Sequence, residues 1–279
     1  MEQRLTPFVK WAGGKRQLLE ALHTYQPQSF QHYYEPFIGG GAFFLDLAPK
    51  KATISDLNEE LMLTWQAIQQ RPSELLFWLA WHQQNNSKEH YLSVRSADRD
   101  GRLKRMSIEE RAARFIYLNK AGFNGLWRVN KKGQNNVPYA NPKSLNLVMD
   151  DLIYRLSDYL NQNEIRLKCQ SYQATVEMAK AGDFVYFDPP YVPLTETAAF
   201  TSYTKEKFEM AEQIQLHDLA LELAQRGVQV MLSNSSAEAV YELYQAEPFH
   251  IHEVQAKRAI NSKGNQRGAV KEVIITTYD

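Results

Sequence analysis

One short segment constrains the fold of this chain more than any other: a hydrophobic run that ends at an acid and two prolines. Val185-Tyr186-Phe187 is typical of a buried β-strand, and Asp188 follows it directly. Pro189 and Pro190 have no N–H group, so they cannot continue a strand ladder or a helix. The segment therefore predicts a buried strand whose carboxyl end presents a carboxylate, backbone carbonyls and the ring of Tyr191.

Strand patterns alternate with helical patterns along most of the chain. This alternation predicts an α/β fold, with a mostly parallel, Rossmann-like sheet and helices on both faces. A terminal hairpin is expected to complete the sheet. The predicted strands cover residues 32–37, 52–56, 165–170, 183–188, 228–234, 252–257 and 270–278. The predicted helices include residues 42–48 and residues 205–226, the second of which is closed by Gly227.

One interval does not fit the alternation. More than 100 residues separate Asp56 from Ile165, whereas a crossover between parallel strands needs about a dozen. We interpret residues 60–148 as an inserted, helix-rich domain, and residues 1–59 and 149–279 as the domain built on the sheet. From Arg95 to Lys143 there are twelve Lys and Arg against four Asp and Glu, a net charge of +8. This block can meet phosphates, although a solvated helical face has the same composition.

The overall composition excludes several classes of protein. Net charge is zero, so the chain as a whole favours no charged partner. Cys169 is the one cysteine, which rules out an internal disulfide and indicates a reducing compartment; we interpret its side chain as packed. The seven histidines show no metal-ligand spacing, so no metal is expected. No leader and no apolar run of about 20 residues is present, so we expect a cytoplasmic protein without a membrane partner.

Two features near the amino terminus indicate a nucleoside site. Gly39-Gly40-Gly41 follows a predicted strand and precedes a predicted helix, where glycines let the backbone approach a ligand. Asp56 ends the next strand, the position at which nucleotide-binding sheets hydrogen-bond a ribose diol. The alternative for Asp56 is a cap on the helix that follows. An adenosine-bearing ligand without essential phosphates suits both features.

The Asp-Pro-Pro-Tyr segment suits a second ligand. A carboxylate at Asp188 and a neighbouring backbone carbonyl can accept both hydrogens of one amino group. Those bonds localise the lone pair of an aromatic amine, which conjugation otherwise delocalises. Tyr191 can stack on the base that carries the amine. The residues therefore favour methylation of an exocyclic amine on a flat base.

These residues lie in a pattern that resembles a known family. The sequence resembles the Dam and DpnII group of DNA adenine-N6 methyltransferases, and most of all the DpnII-type modification methylase for double-stranded DNA. The resemblance covers nearly the whole chain, in the family's order of donor site, inserted target-recognition domain and amine-methylating motif. The matching segments read FVKWAGGK, YYEPFIGGGAFF, ISDLNEEL, YLNKAGFNGLWRVNKKGQNNVPY, DFVYFDPPYVPL, TAAFTSYT and VMLSNSS.

The resemblance implies an S-adenosylmethionine-dependent methyltransferase fold and a methyl donor. The donor would be S-adenosylmethionine, with S-adenosylhomocysteine as product. Asp188 would hold the target adenine N6, Pro189 and Pro190 would shape the site with the carbonyl of Pro189 as second acceptor, and Tyr191 would stack. The residues that match the family's donor site are Trp11, Lys15, Glu35, Phe37, Gly39, Asp56 and Asp188.

The resemblance also implies double-stranded DNA as substrate, with methylation of a flipped adenine in GATC. Lys10 would contact DNA near the first guanine, Phe123 would intercalate, and Asn124 would fill the space left by the flipped base. The base-reading hairpin would use Leu126, Arg128, Asn130 and Pro138. For Phe123, a place in the protein core is the alternative. A restriction-modification or Dam-like role is expected, with a cognate restriction endonuclease as functional partner.

One segment departs from the family. After Val-Pro-Tyr, members often continue with Gly-Arg-Tyr-Lys, whereas this chain has residues 140–143 as Ala-Asn-Pro-Lys. An Arg that would touch phosphate and a Tyr near the first base are absent, which leaves open how strictly that base is read. The alternative functions are cytosine-N4 methylation, methylation of RNA adenine or protein glutamine, and a non-catalytic DNA-binding regulator of the same fold.

Overall fold

One seven-stranded sheet organises the part of the chain that the computed structural model describes, residues 4–194, 208–257 and 269–279. The strands are β1 (Tyr33–Glu35), β2 (Lys51–Asp56), β3 (Glu164–Cys169), β4 (Phe184–Phe187), β5 (Gln229–Ser235), β6 (His250–Lys257) and β7 (Ala269–Thr276). Their order across the sheet is β3-β2-β1-β4-β5-β7-β6.

The pairing of the strands confirms the predicted fold class. Strands β1 to β5 pair in parallel, and β7 runs antiparallel to both β5 and β6. The chain fills the sheet outward from β1 through β2 to β3, then returns to place β4 on the other side of β1. Between β1 and β4 the strand order therefore reverses, and α/β sheets bind ligands at the carboxyl ends of the strands at such a point.

Helices cover both faces of the sheet. They are α1 (Leu19–Tyr25), α2 (Ala42–Leu47), α3 (Glu59–Gln70), α4 (Pro72–Gln84), α5 (Lys88–Ser96), α6 (Ile108–Ala121), α7 (Asp150–Gln162), α8 (Tyr172–Val176), α9 (Met210–Gln225) and α10 (Glu238–Leu243). Short 3-10 turns lie at Lys15–Gln17, Arg102–Arg105 and Phe123–Gly125.

Strand β4 shows why the central strands read as continuous hydrophobic runs. Side chains alternate between the two faces of a strand, and both faces of β4 are covered. Phe184 and Tyr186 enter the core shared with α1 to α7, whereas Val185 and Phe187 enter the core shared with α8 to α10. All four are fully buried, so this strand holds the acid that follows it in a fixed place.

The predicted elements match the structure closely. Each predicted strand overlaps an observed one, and the terminal hairpin pairs as expected. Helix α9 begins at Met210, inside the predicted 205–226, and Gly227 terminates it with φ +79°, a conformation that favours glycine. Residues 205–207, residues 258–268 and the quoted segment at 197–204 lie outside the described residues.

The segment interpreted as an insertion is helical from α3 to α6 and continuous with the main core. Helix α3 packs on β2, β3 and α7, and Asn58 caps it by accepting from the backbone N–H of Leu61. Ser107 and Glu110 form a reciprocal capping box at the start of α6. The division at residues 60 and 148 stays a prediction.

Two further observations concern the surface. The thiol of Cys169, at the end of edge strand β3, is exposed, so its interpretation as a packed side chain is wrong. Strand β3 lies at the edge of the sheet and has a paired strand on one side only, and Cys169 is its last residue. In the described ranges, no helix is long and apolar enough to cross a membrane.

Candidate functional site

Strands β1 and β4 bring most of the predicted site residues to one end of the sheet. Asp188 follows β4, and the turn that contains Gly39 follows β1, its immediate neighbour. Asp56 ends β2 on the far side of β1. The three positions therefore share the carboxyl edge of the sheet at the point where its strand order reverses.

An ammonium group marks the centre of this site. Lys15 Nζ lies 2.7 Å from Asp188 Oδ1 and 4.7 Å from the centroid of the Tyr191 ring, and it donates to the carbonyl of Gly13 at 2.7 Å. Lys15 is 6% exposed, so its charge is compensated inside the protein. A nitrogen donor in this site thus bonds the carboxylate while it lies over the tyrosine ring.

Two opposing effects set the pKa of Asp188. Burial raises the pKa to about 6, the Lys15 ammonium opposes that rise, and the Glu272 carboxylate adds to it. Glu272 also accepts a hydrogen bond from the Tyr191 hydroxyl at 3.0 Å. Residue types alone gave no role to Glu272, since it belongs to β7, far along the chain.

The two prolines are held in place by side chains from α9 and β5. Gln213 Nε2 donates to the carbonyl of Pro190 at 2.8 Å, and Asn234 Nδ2 donates to Gln213 Oε1 at 3.1 Å. Among the described residues, none donates to the carbonyl of Pro189 or to Asp188 Oδ2. Those two acceptors remain available to a ligand, as the predicted role of the motif requires.

The carboxylate of Asp56 is hydrogen-bonded to backbone N–H groups of the neighbouring turns. Its Oδ2 accepts from the N–H of Gly39 at 3.1 Å, and its Oδ1 accepts from the N–H of Asn58 at 2.9 Å. Burial nevertheless raises the pKa of Asp56 to about 6. Because Asn58 caps α3, the alternative of Asp56 as the helix cap is wrong. Each carboxylate oxygen keeps a further lone pair for a diol.

Gly39 is required by its contact with Trp11. A Cβ on Gly39 would lie 2.6 Å from Trp11 Cδ1, and its φ of +47° also favours glycine. Trp11 lies partly buried between this turn and the ring of Phe115, at 6.2 Å between ring centroids. The indole and the glycine turn thus fix each other's position.

Glu35 and Phe37 lie under the same turn. Glu35 is 3% exposed and accepts from the hydroxyl of Tyr33 at 2.6 Å; burial raises its pKa to about 8. The ring of Phe37 stacks on that of Tyr172 at 5.3 Å between centroids. Both predicted donor-site residues therefore belong to the same end of the sheet as Asp56.

A separate part of the structure carries the predicted DNA-contacting residues. Phe123–Gly125 forms a 3-10 turn after α6, and an antiparallel bridge joins Val129 to Asn135 in the hairpin that follows. Phe123 is 53% exposed, so the alternative that places it in the core is wrong. Asn124 beside it is exposed with φ +56°.

The hairpin presents its polar side chains in different ways. Arg128 is exposed, and its Nε donates to Asn136 Oδ1 at 2.7 Å. Asn130 Oδ1 accepts from the N–H of Lys132 at 2.9 Å and of Gln134 at 3.1 Å, which closes the turn. Leu126 is half-buried and Pro138 is exposed.

Asn119 joins the two predicted DNA-contacting segments, and sequence reasoning missed it. Its side chain accepts from the N–H of Lys10 at 3.0 Å and donates to the carbonyls of Lys10 at 2.9 Å and Gly125 at 2.8 Å. A Cβ on Gly125 would lie 2.5 Å from the Lys10 side chain. Lys10 is exposed and lies against this turn, although it is more than 100 positions from Phe123 in sequence.

In the parts of the chain that the structure describes, no group of three or more His, Cys, Asp or Glu side chains could hold a metal ion.

Comparison with known proteins agrees with this geometry. The sequence profile of the D12 class of N6 adenine-specific DNA methyltransferases matches residues 11–260. The type II methyltransferase M1.LlaDCHI of Lactococcus lactis subsp. cremoris is 49% identical over 274 residues, which is 98% of this chain and 96% of that protein.

Two more distant relatives span the same length. The type II methyltransferase M.MjaIII of Methanocaldococcus jannaschii is 38% identical over 98% of this chain and 99% of its own length. The DNA adenine methylase of Escherichia coli strain K12 is 32% identical over 96% of this chain and 93% of its own.

Proposed function

The chain belongs to the D12 class of N6 adenine-specific DNA methyltransferases, which take their methyl group from S-adenosylmethionine, and we propose that it methylates a flipped adenine within GATC. The observation that carries this proposal is the place of the Lys15 ammonium, bonded to Asp188 and over Tyr191. An exocyclic amine beside Lys15 would meet the other oxygen of the same carboxylate and the same ring.

The acceptors around Asp188 suit the N6 amino group. Asp188 Oδ2 and the carbonyl of Pro189 would accept its two hydrogens, and Tyr191 would stack on the adenine. Pro190 contributes by holding the turn, because its own carbonyl is occupied by Gln213. The gain comes from positioning and from polarising the amine, with no covalent enzyme intermediate.

The donor side suits S-adenosylmethionine, which supplies its methyl group from a sulfonium cation. Asp56 has lone pairs left for a ribose diol, and the ionised Asp188 carboxylate attracts a cation at this end of the sheet. Glu35, whose pKa of about 8 keeps it protonated at neutral pH, lies under the same turn. Phe37 and Gly39 would line the donor, with Trp11 fixing the glycine turn and Lys15 balancing the charge on Asp188.

The exposed turn and hairpin suit DNA. Phe123 would enter the base stack, Asn124 would fill the gap, and Lys10 would contact the duplex beside them. Arg128 donates to Asn136 through Nε, so both of its terminal nitrogens remain for guanine O6 and N7. The remaining contacts of the hairpin would come from Leu126, Asn130 and Pro138. Residues 60–148 would be the target-recognition domain and the rest of the chain the catalytic domain.

The biological setting that we propose is restriction-modification, with a cognate restriction endonuclease as functional partner. Two relatives that match this chain nearly end to end are named type II methyltransferases, which supports that role. The relatives named DNA adenine methylases are 31–32% identical, and they support a Dam-like role less strongly.

Plasmid DNA from a host without adenine methylation tests the proposed target. After incubation with the enzyme and S-adenosylmethionine, GATC sites should resist an endonuclease that cuts only unmethylated GATC and yield to one that cuts only methylated GATC. The Asp188→Ala variant should change neither digestion. Methyl incorporation without any change at GATC would contradict the target while leaving the family assignment intact.

A further inference from the structure

The peptide unit of Asn135, in the second half of the hairpin, is held by side chains from the turn that follows α5. Its N–H donates to Asp98 Oδ2 at 2.8 Å, and its carbonyl accepts from Arg99 Nη2. Two residues further on, the carbonyl of Val137 accepts from Arg95 Nη1 at 2.8 Å. This strand therefore depends on α5 for its place, in addition to its pairing within the hairpin.

Asp98 carries the central contact, and it is buried with its charge compensated. Arg114 Nη2 on α6 lies 3.1 Å from Asp98 Oδ2, and the side chains of the two residues are 2% and 8% exposed respectively. Arg114 also donates to the carbonyls of Val94 at 3.0 Å and Arg95 at 3.1 Å. The two helices thus stay joined through Arg114 without Asp98, whereas the N–H of Asn135 has Asp98 as its acceptor.

From Asn135 the contacts lead directly to Arg128. Asn135 pairs with Val129 across the hairpin, and the N–H of Asn136 donates to the carbonyl of Arg128 at 3.1 Å. Asn136 Oδ1 then accepts from Arg128 Nε at 2.7 Å, which fixes the plane of the guanidinium. A shift of the strand at Asn135 would turn that plane.

We propose that Asp98 is a specificity-determining positioning residue, which sets the orientation of the Arg128 guanidinium through the peptide of Asn135. The side chain of Asp98 is only 8% exposed, so Asp98 itself is not placed to contact a base. A bidentate contact to guanine needs both terminal nitrogens of an arginine in the plane of the base. A rotated guanidinium therefore loses its selectivity for guanine while it keeps its positive charge. This inference rests on the proposed role of Arg128 as a guanine reader.

The experiment compares methyl transfer on the cognate duplex with transfer on one that contains 7-deazaguanine, which lacks the N7 acceptor. We expect the parent enzyme to lose roughly 5- to 150-fold in kcat/KM on the modified duplex. The Asp98→Ala/Arg114→Met variant removes both buried charges together, and Arg99, which also pairs with Asp98, has a side chain 33% exposed that can turn to solvent. Arg114→Met alone also loses the bonds to the carbonyls of Val94 and Arg95 but keeps Asp98, so it should discriminate as the parent does. We expect its loss on the modified duplex to fall below about threefold, because its contact to N7 is already poor.

Two further variants separate positioning from general stability. Asp98→Asn keeps one oxygen that can accept from Asn135, so it should keep most of the parent's discrimination. Asp100→Ala removes a neighbouring exposed acid that pairs with Arg102, and it should discriminate as the parent does. Loss of discrimination in Asp98→Asn equal to that in the double variant would contradict the hydrogen-bond role.

Arg128→Ala distinguishes failure of this inference from failure of the proposed function. If Arg128→Ala loses its discrimination and the Asp98 double variant keeps the parent's, Asp98 does not position the reader and this inference is wrong. If Arg128→Ala discriminates as the parent does, Arg128 does not read guanine N7, and both proposals are overturned.

Discussion

At the scale of single residues, Asp188 must be ionised to accept an amine, yet burial favours its protonated form. Its pKa of about 6 lies above the ordinary range of an aspartate, and Lys15 keeps it from rising further. Below pH 6 the carboxyl becomes a donor, so methyl transfer should fall about tenfold per pH unit. The acid limb of the pH profile therefore reports on this residue.

Replacement of Lys15 by Met should move that acid limb to higher pH. The substitution removes the cation 2.7 Å from Asp188 and keeps a side chain of similar length, so the pKa of the carboxyl should rise. Single-turnover transfer at saturating DNA and donor, measured from pH 5 to pH 8.5, gives the profile. Lys51→Met is the matched control, because the exposed side chains of Lys51 and Glu164 pair at the amino-terminal ends of β2 and β3, at the end of the sheet opposite the site. An acid limb that stays in place would show that Lys15 does not act on Asp188.

Asp56 and Asn58 offer a second comparison, because the proposed role of Asp56 is to bind the donor and that of Asn58 is to cap α3. Asp56→Ala should weaken S-adenosylmethionine binding, because the proposed diol acceptor is lost. Asn58→Ala should instead cost about 1 kcal/mol of the free energy of unfolding, because it removes the cap of α3 and no proposed ligand contact. Titration calorimetry of the DNA-free enzyme and urea unfolding measure the two quantities.

The comparison is informative only if Asp56→Ala lowers donor affinity more than Asn58→Ala does, and Asn58→Ala lowers the free energy of unfolding without lowering donor affinity. Asp56 also accepts from the N–H of Gly39, so its loss could loosen the glycine turn. Asp56→Asn keeps one acceptor for that turn and should bind the donor better than Asp56→Ala. Equal donor affinity in the parent and in Asp56→Ala would show that Asp56 has a structural role alone.

At the scale of elements, the turn Phe123–Gly125 presents an exposed ring on a constrained backbone. Phe123→Ala should impair extrusion of the target adenine, since the ring would otherwise offset the few kcal/mol required for unstacking. A 2-aminopurine at the target position should show a smaller rise in fluorescence on binding. A mismatch opposite the target should partly restore the variant's rate, because it lowers the cost of flipping.

Phe77→Ala provides the matched control for this turn. Phe77 is 65% exposed on α4, so its removal takes away a comparable apolar ring from the surface. Its fluorescence rise should equal that of the parent. A full rise with Phe123→Ala as well would mean that this ring does not take part in base flipping.

The helices and strands could be predicted from sequence to a large extent, whereas the contacts between residues far apart in the chain could not. Strand β4 is recognisable because burial on both faces demands four consecutive hydrophobic residues, which is a local property. The contacts of Asn119 with Lys10 join residues 109 positions apart, and no local pattern carries that information. The same holds for Gln213 at the carbonyl of Pro190 and for Glu272 at Tyr191.

The exposure of Cys169 was mispredicted for a related reason. Its alternating context favours a strand, which is correct, but alternation does not say which strand lies at the edge of a sheet. Edge position follows from the order in which the chain fills the sheet, a property of the topology. Family resemblance supplied the donor and DNA residues, whereas hydrogen-bond geometry identified Asp98 and Asn119.

At the scale of the whole molecule, the carboxyl end of the sheet gathers three acids whose pKa values are all raised. Burial is the main cause at Glu35, Asp56 and Asp188 alike. Lys15 is the basic side chain in contact with this group, through Asp188. The arrangement opposes folding at neutral pH and favours a cationic ligand, so the proposed donor should both bind at this end of the sheet and stabilise the fold.

The pH dependence of stability should isolate the contribution of Glu35. Its pKa is about 8 in the folded protein, against about 4.5 for an ordinary glutamate, so the folded state keeps a proton that the unfolded chain has lost. Stability from this proton is fully present below about pH 4.5 and is lost as the pH rises to about 8, with about 2 kcal/mol of that loss between pH 6 and pH 8. Asp56 and Asp188, with pKa values of about 6, titrate mainly below this window of pH 6 to pH 8.

In Glu35→Gln the decline in stability between pH 6 and pH 8 should be smaller than in the parent by about 2 kcal/mol, whereas the exposed Glu20→Gln should decline as the parent does. Denaturant unfolding of the donor-free enzyme at pH 6, 7 and 8 measures the three slopes, and identical slopes for all three proteins would show that Glu35 is ionised throughout.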